Sequence, residues 1–395
     1  MKYCVVIMDG ASGWPLPERD NRTCLELAGT PNLDSMARSG CLGMALTVPP
    51  GMEPSSACAC MSVLGYNPVT YYKGRSGIEA RAMGVPVGKG EVTFRCNLVT
   101  VLEGKMVSYS AGQITTEEAK AIVDTLNEKL GSDEVSFFAG VNYRHVCKVK
   151  GREETLKAVC TPPHDITDRQ VGDFLPHGAG SALLRDLMTR SESVLVNHPV
   201  NADRRRKGKL PATTIWLFWS SGRLPDMPPF EKEYGLKAAM TSPVDLLRGL
   251  ADMADMENLS IEGVTDGLDN DYAAQAEGAL EALEKRDLVV IHIEAPDEMG
   301  HRGAIQDKIA AIENIDSEVI RRLLAWKGDD LKVLVMPDHP TPIKLKTHCA
   351  EPVPFLIWGK GVKGKGGLRF TEPEASKTGL SVEPGYKIMD RFIRG

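Results

Sequence analysis

Apolar residues in this chain gather in short runs that stop at polar or glycine-bearing corners. Residues 3–8 (YCVVIM) form an unbroken apolar run ending at Asp9-Gly10. That length and ending predict a strand buried on both faces, as in a parallel sheet. A helix is expected next, with Thr30 as its cap, Pro31 at its first position and Gly40 as its stop. A further helix should open at Ser55-Ser56 and run to about Gly65.

The middle of the chain changes character. Residues 92–102 and 141–149 read as strands, and a capped helix (TTEEAKAIVDTLNEKLG, 115–131) lies between them. Basic and aromatic residues are mixed through this stretch. From about residue 211 the alternation of strand and helix returns. It runs through TTIWLFW, the helix PVDLLRGLADMA, LSIEGV, the helix DYAAQAEGALEALEK and DLVVIHI. A long helix over 304–325, LKVLVM and PVPFLIW complete it. Strands alternating with helices of this length predict an α/β fold with a doubly wound, mainly parallel sheet. The Gly/Lys-rich segment 359–367 reads as an exposed turn, because its glycines lack the spacing of a phosphate-binding loop.

Composition narrows the classes. The 395 residues carry a net charge of -6, which disfavours a general nucleic-acid binder, since phosphate backbones need basic stripes. The nine cysteines lack redox or zinc-knuckle spacing and read as reduced thiols. Met1-Lys2-Tyr3 leads straight into the first strand, and no apolar stretch is long enough to span a bilayer. A cytoplasmic enzyme with neither a membrane nor a nucleic-acid partner is the expectation, with oligomeric state left open.

The chemistry sits at strand ends. Asp9 follows the first strand, Asp297 and His301 follow DLVVIHIEAP, and Asp338 and His339 follow LKVLVMP, with His348 a little further on. In open α/β sheets the site lies outside the carboxyl ends of the strands, so these segments point to one rim. Three carboxylates and three imidazoles suffice for two divalent cations, and a donor set without thiolate suits Mn²⁺, Zn²⁺ or Co²⁺, with Mg²⁺ also admitted. A two-metal clamp suits in-line phosphoryl displacement. His292, inside its strand, reads as a supporting or core residue. Ser55-Ser56 opens a helix, where free N–H groups favour a phosphate; one serine is the cap and a serine beside metals is a nucleophile. Arg75, Arg95, Arg144 and Arg204 are of the residue type suited to bidentate binding of carboxylate or phosphate.

Several motifs carry a resemblance over nearly the whole chain. They are VVIMDG (5–10), Ser56 through LGYNP (64–68), YYKGR (71–75), FRCNLVTV (94–101), NYRH (142–145) and PPHDI (162–166). HPVNADR (198–204), EAPDEMGHRG (294–303) and MPDHPTP (336–342) through His348 complete the set. In these the chain resembles the archaeal-type 2,3-bisphosphoglycerate-independent phosphoglycerate mutases of the alkaline phosphatase superfamily. The resemblance implies a phosphatase-type core over 1–76 and 209–395, interrupted by a smaller α+β substrate domain over 77–208. It implies Ser56 as the phosphorylated nucleophile, one metal on Asp9, Ser56, Asp338 and His339, and a second on Asp297, His301 and His348. Arg75, Arg95, Arg144, His145, His164, Asp165 and Arg204 match positions that would line the substrate cleft. The implied reaction interconverts 3-phosphoglycerate and 2-phosphoglycerate through a phosphoserine, with a small phosphorylated substrate and without 2,3-bisphosphoglycerate. Three stretches depart from the family's usual wording. Ser55-Ser56-Ala57 stands for Gly-Ser-Asp, Gly74-Arg75-Ser76-Gly77 for Gly-Arg-Gly-Pro, and residues 216–222 (WLFWSSG) for WLWGQG. A bacterial branch sharing PDHPTP and LKTH has been proposed to phosphorylate homoserine, which makes homoserine kinase the alternative.

Overall fold

The computed structural model describes residues 1–328 and 330–395. Thirteen strands follow one another along the described residues. The first seven are β1 (Lys2–Met8), β2 (Cys41–Ala45), β3 (Glu91–Leu102), β4 (Lys105–Ser108), β5 (Val135–Ala139), β6 (Arg144–Lys150) and β7 (Thr214–Ser221). Then come β8 (Ala238–Thr241), β9 (Glu257–Leu259), β10 (Leu288–Ile293), β11 (Leu331–Met336), β12 (Val353–Gly359) and β13 (Ser381–Val382). They fall into two compact units, one of Met1–Tyr72 with Asp226–Gly395 and one of Lys73–Pro225.

The first unit is built on an eight-stranded sheet in the order β13-β2-β12-β11-β1-β10-β8-β9. β1 runs parallel to both β10 and β11, and β10, β8 and β9 continue in parallel, whereas β12 is antiparallel to its neighbours. The unbroken apolar run of β1 is explained by burial on both faces. Cys4, Val6 and Met8 join one core with the helices Pro31–Ser39 and Tyr272–Lys285, and Val5 and Ile7 are equally buried on the opposite face. The long helix expected over 304–325 is present as Ile305–Asn314 and Arg321–Leu324, joined by a π-helical turn over Ile315–Ile320.

Two local expectations are corrected. Thr30 does not cap the Pro31–Ser39 helix; its hydroxyl donates to Asp34 Oδ1 at 3.4 Å. The free N–H groups of that helix are taken by Asp316, on the π turn, whose carboxylate accepts from Leu33 N at 2.7 Å and Asn32 N at 3.2 Å. A distant carboxylate thus does what the adjacent hydroxyl was expected to do. The strand expected at 259–264 does not form beyond Leu259: the short β9 covers Glu257–Leu259, and the chain turns at Gly263 with φ +81.

The second unit is an antiparallel sheet, β4-β3-β6-β5, with β7 also paired to β3. The helices Thr116–Leu130 and Ser181–Leu195 pack apolar residues such as Ile122, Leu126, Leu184 and Leu187 against it. Thr115 and Glu118 form the capping box expected of the first helix. β7 belongs to this sheet and not to the parallel one, so the unit ends at Pro225 where the sequence suggested 208. An apolar run such as TTIWLFW specifies a buried strand without specifying its partner.

Candidate metal centre and anion site

β1, β10 and β11 lie side by side and parallel, so the segments that leave their carboxyl ends emerge together. Asp9 follows β1 directly. Asp297 and His301 sit on the helix Ala295–Arg302, one turn apart, so both project from the same face. Asp338 and His339 follow β11. The tight corner after Asp9 needs Gly10, which has φ +59, and a Cβ there would come within 2.8 Å of the Asp297 backbone.

Six side chains of the strand-end motifs converge. His339 Nε2 lies 3.7 Å from Asp9 Oδ1 and 3.3 Å from Asp338 Oδ2. Asp297 lies 3.0 Å from His301 Nε2 and 3.5 Å from His348 Nε2, and the His339 and His348 rings stack at 3.9 Å. Two donor groups form among these six: Asp9 with Asp338 and His339, and Asp297 with His348 and His339, His301 standing beside the second; Asp9 also groups with Cys60 and His292. Ser55 caps the helix Ser56–Val63 by accepting from Cys58 N at 3.3 Å. That leaves Ser56 in the first turn, with its hydroxyl 3.2 Å from His339 Nε2.

The electrostatics call for cations. Asp9, Asp297 and Asp338 are all buried. Burial, then the neighbouring carboxylates Asp338 and Asp297, pushes Asp9 well above its ordinary pKa, and Asp338 is raised by burial and Asp297. Burial also pushes Asp297 upward, but His348 and His301 outweigh it and hold the carboxyl well below its usual range. Burial opposes protonation of His301, and Asp297 overcomes it, taking the imidazole up to about 9. Asp9 Oδ1 is buried with no hydrogen-bond partner, a costly state for a carboxylate oxygen unless something positive meets it. An orphaned carboxylate oxygen among imidazole nitrogens, with no thiolate among the six, fits hard or borderline divalent cations.

Supporting residues surround these groups. His292 is buried, placing Nε2 2.7 Å from Asp9 Oδ2 and Nδ1 3.0 Å from Ser242 Oγ, a bridge that fixes the direction of the Asp9 carboxylate. Asp338 Oδ1 accepts from Gly10 N and His339 N. Thr341 donates to Asp297 and lies 3.3 Å from His339 Nδ1. Lys308 was missed. It is fully buried, and its ammonium donates to Gly10 O and Thr341 O at 2.7 Å each and to Ser12 O at 3.3 Å. Three donors meet three carbonyls and tie the loop after β1 to the loop after β11. A lysine amid helical residues carries no sequence signal for such a role.

The basic residues lie in the second unit, where they divide. Glu79, which carried no signal of its own in the sequence, is buried on the helix Arg75–Ala82. Its Oε1 accepts from Arg75 Nε at 2.9 Å and also from Arg95 Nη1. Burial pushes Glu79 up, but Arg95 and Arg75 together take it down to about 2. Two guanidinium groups share one carboxylate, leaving a net positive site. His145 is buried next to it; burial, then Arg95, lowers it to about 3, and its Nε2 has no hydrogen-bond partner. Arg144 lies with its guanidinium 5.1 Å from the Tyr143 ring centre. His164 and Asp165 are exposed and lie 3.7 Å from each other, and His164 lies 5.5 Å from the Trp219 ring.

Arg204 is fully buried and donates to Leu210 O, Ala111 O, Gly112 O and Glu118, so its guanidinium is engaged in holding loops, where the sequence suggested a substrate contact. A sequence motif cannot tell an arginine that reaches a ligand from one that ties backbone carbonyls.

A parallel α/β sheet with buried carboxylates and imidazoles gathered at adjacent strand ends, and a helix-opening serine among them, defines the class of metal-dependent phosphoryl-transfer folds. The comparisons are specific within that class. A sequence model described as 2,3-bisphosphoglycerate-independent phosphoglycerate mutase matches residues 37–201. The protein of that name from Methanothrix thermoacetophila is 44% identical over 398 residues, covering 100% of both chains. That from Methanosarcina acetivorans is 43% identical over 382 residues, covering 96% of each. Among solved structures, the PH0037 protein from Pyrococcus horikoshii aligns at a TM-score of 0.83 and 28% identity, over 100% of this chain and 96% of that one. The chain belongs to the 2,3-bisphosphoglycerate-independent phosphoglycerate mutase family. Among the described residues, no helix is long and apolar enough to cross a membrane.

Proposed function

We propose that this protein interconverts 3-phosphoglycerate and 2-phosphoglycerate through a phosphoserine at Ser56. The observation that carries this reading is the Ser56 hydroxyl 3.2 Å from His339 Nε2, at a helix start beside two donor groups for cations. The first group, with Ser56, would hold one divalent ion and Asp297, His301 and His348 the other, drawn from Mn²⁺, Zn²⁺, Co²⁺ or Mg²⁺. Bound there, such ions would lower the pKa of the serine hydroxyl and offset charge building up on the phosphoryl oxygens.

The chain's own groups account for the rest. Ser56 Oγ gives up its proton and attacks phosphorus as the bond to the 3-oxygen of glycerate breaks, that oxygen taking up one proton so that none is gained or lost overall. The positive end of the Ser56–Val63 helix, where Ser55 takes only the Cys58 N–H, would favour the transferred phosphoryl group. Arg75 and Arg95, gathered by Glu79 within the second unit, are suited to binding an anion. Glycerate then turns over, and its 2-hydroxyl attacks the phosphoserine, releasing Ser56 Oγ and completing the exchange. Water at that stage would convert transfer into hydrolysis, so retention of glycerate is part of the chemistry. Arg144, His145, His164 and Asp165 are further candidates for substrate contact.

The family relationship supports the mutase over homoserine phosphorylation. The test is formation of 2-phosphoglycerate from 3-phosphoglycerate by metal-loaded enzyme, coupled to enolase, with homoserine plus ATP run beside it. Turnover should appear only in the first, and Ser56→Ala should abolish it while metal content is largely retained. Product from homoserine alone would overturn the assignment.

A further inference from the structure

The β7 strand carries an irregularity that faces the Glu79 cluster. Arg95 of β3 pairs with Phe218, but Thr93, two residues back, pairs with Ser221, three residues on. One extra residue is therefore inserted into β7, a bulge of the kind that re-aims a side chain. The bulge carries Trp219 at φ +48, a left-handed conformation that is an outlier for so bulky a side chain. It lies within the 216–222 stretch, where the sequence leaves its family's usual wording.

The strained conformation has a consequence for Arg75. The indole of Trp219 lies 4.3 Å from the Arg75 guanidinium carbon, within cation–π range. Phe218 at 4.6 Å and His164 at 5.5 Å pack against the indole. Arg75 Nε is already bound to Glu79, and the side chain keeps 21% of its surface exposed. Its two terminal nitrogens have no hydrogen-bond partner among the described residues. One edge of the guanidinium is therefore fixed by a carboxylate and one face is covered by an indole. What stays open is the edge formed by the terminal nitrogens, the edge that accepts a carboxylate or phosphate in its plane.

We propose that Trp219 is a positioning residue that, from its β-bulge, sets Arg75 as an edge-on hook for one oxyanion of the substrate, a carboxylate or a phosphate. Trp219 acts through Arg75 and contacts no reacting atom. The proposal rests on the mutase reading for its substrate, and its tests separate the two.

Trp219→Gly suits the test because glycine adopts this φ freely, so the bulge can persist without the indole. The expected result is a KM for 3-phosphoglycerate raised about tenfold, as for loss of a partly desolvated cation–π pair, with kcat little changed. Trp219→Phe, which keeps a π face, should recover most of the loss. In an Arg75→Met background, Trp219→Gly should add nothing further. Binding is read without turnover by tryptophan emission. Titration with 3-phosphoglycerate, glycerate or inorganic phosphate should change wild-type emission for at least one anion, which identifies the end that is held, and the change should vanish in Trp219→Phe. A Trp219→Gly enzyme with the wild-type KM and urea midpoint overturns the proposal, as do additive effects in the double variant or an emission signal that survives in Trp219→Phe. A wild-type enzyme that binds these anions but does not isomerise 3-phosphoglycerate would instead overturn the mutase reading.

Discussion

Replacing Lys308 with methionine removes the ammonium from a buried position and keeps much of the side chain's length. Two carbonyls, Gly10 O and Thr341 O, then lose their 2.7 Å donors, and Ser12 O loses a longer one but still accepts from Thr341 N. A buried acceptor left unpaired costs about 1–3 kcal/mol. Removing the charge also removes its own desolvation cost, which the burial-lowered pKa of Lys308 reflects. Two orphaned carbonyls less that relief give a net loss of about 3 kcal/mol. Because Gly10 adjoins Asp9, and Thr341 touches Asp297 and His339, the loss should reach the metal centre. A weakening of divalent-ion affinity by about 10–100-fold is expected, typical of lost support around ligands. Urea unfolding of the metal-free protein measures the first quantity at constant slope, and titration with Mn²⁺ measures the second. A loss below about 1 kcal/mol with undiminished affinity would refute the idea that the buried lysine joins the two loops.

Three other perturbations separate roles. Arg204→Met should lower unfolding stability by about 3–5 kcal/mol and leave KM unchanged, since its guanidinium binds only the protein; a raised KM at unchanged stability would return Arg204 to the substrate. Glu79 has its folded pKa depressed to about 2 from 4.5, so its stabilisation is complete above pH 4.5 and is lost as pH falls toward 2. That shift corresponds to about 3 kcal/mol, and Glu79→Gln should flatten this part of the acid-unfolding profile; an unchanged acid limb would contradict the pairing. His301 in the metal-free protein is protonated up to about pH 9, and a cation must displace that proton. Affinity at the Asp297 group should therefore rise with pH up to about 9, with proton release detected calorimetrically in buffers of different ionisation enthalpy; a pH-independent affinity would exclude His301 as a ligand.

The parts legible in the sequence are those fixed by local pattern. YCVVIM, DLVVIHI and LKVLVM could be read as buried strands, and parallel neighbours bring the residues after their carboxyl ends to one edge. Asp9, Asp297 and Asp338 could thus be expected to meet before any geometry was known. The features that escaped were set by partners distant in sequence. Asp316 caps the helix that starts at Pro31, Lys308 joins two loops from a helix, and Glu79 gathers two arginines from a helix and a strand. Arg75 and Arg204 look alike as arginines in family motifs, yet one keeps two nitrogens open and the other spends its donors on backbone. The same limit applies to β7, whose pairing with β3 depends on a sheet built from other parts of the chain.

Ser56 is the residue proposed to carry the phosphoryl group. Acid-quenching the metal-loaded enzyme during turnover of 3-phosphoglycerate, then fragmenting the peptide that spans Ser55 and Ser56, locates the modification directly. One phosphoryl group on Ser56, absent from Asp297→Asn enzyme, is the predicted result. A phosphoryl group on Ser55, or 2-phosphoglycerate formation undiminished in Ser56→Ala, would contradict it.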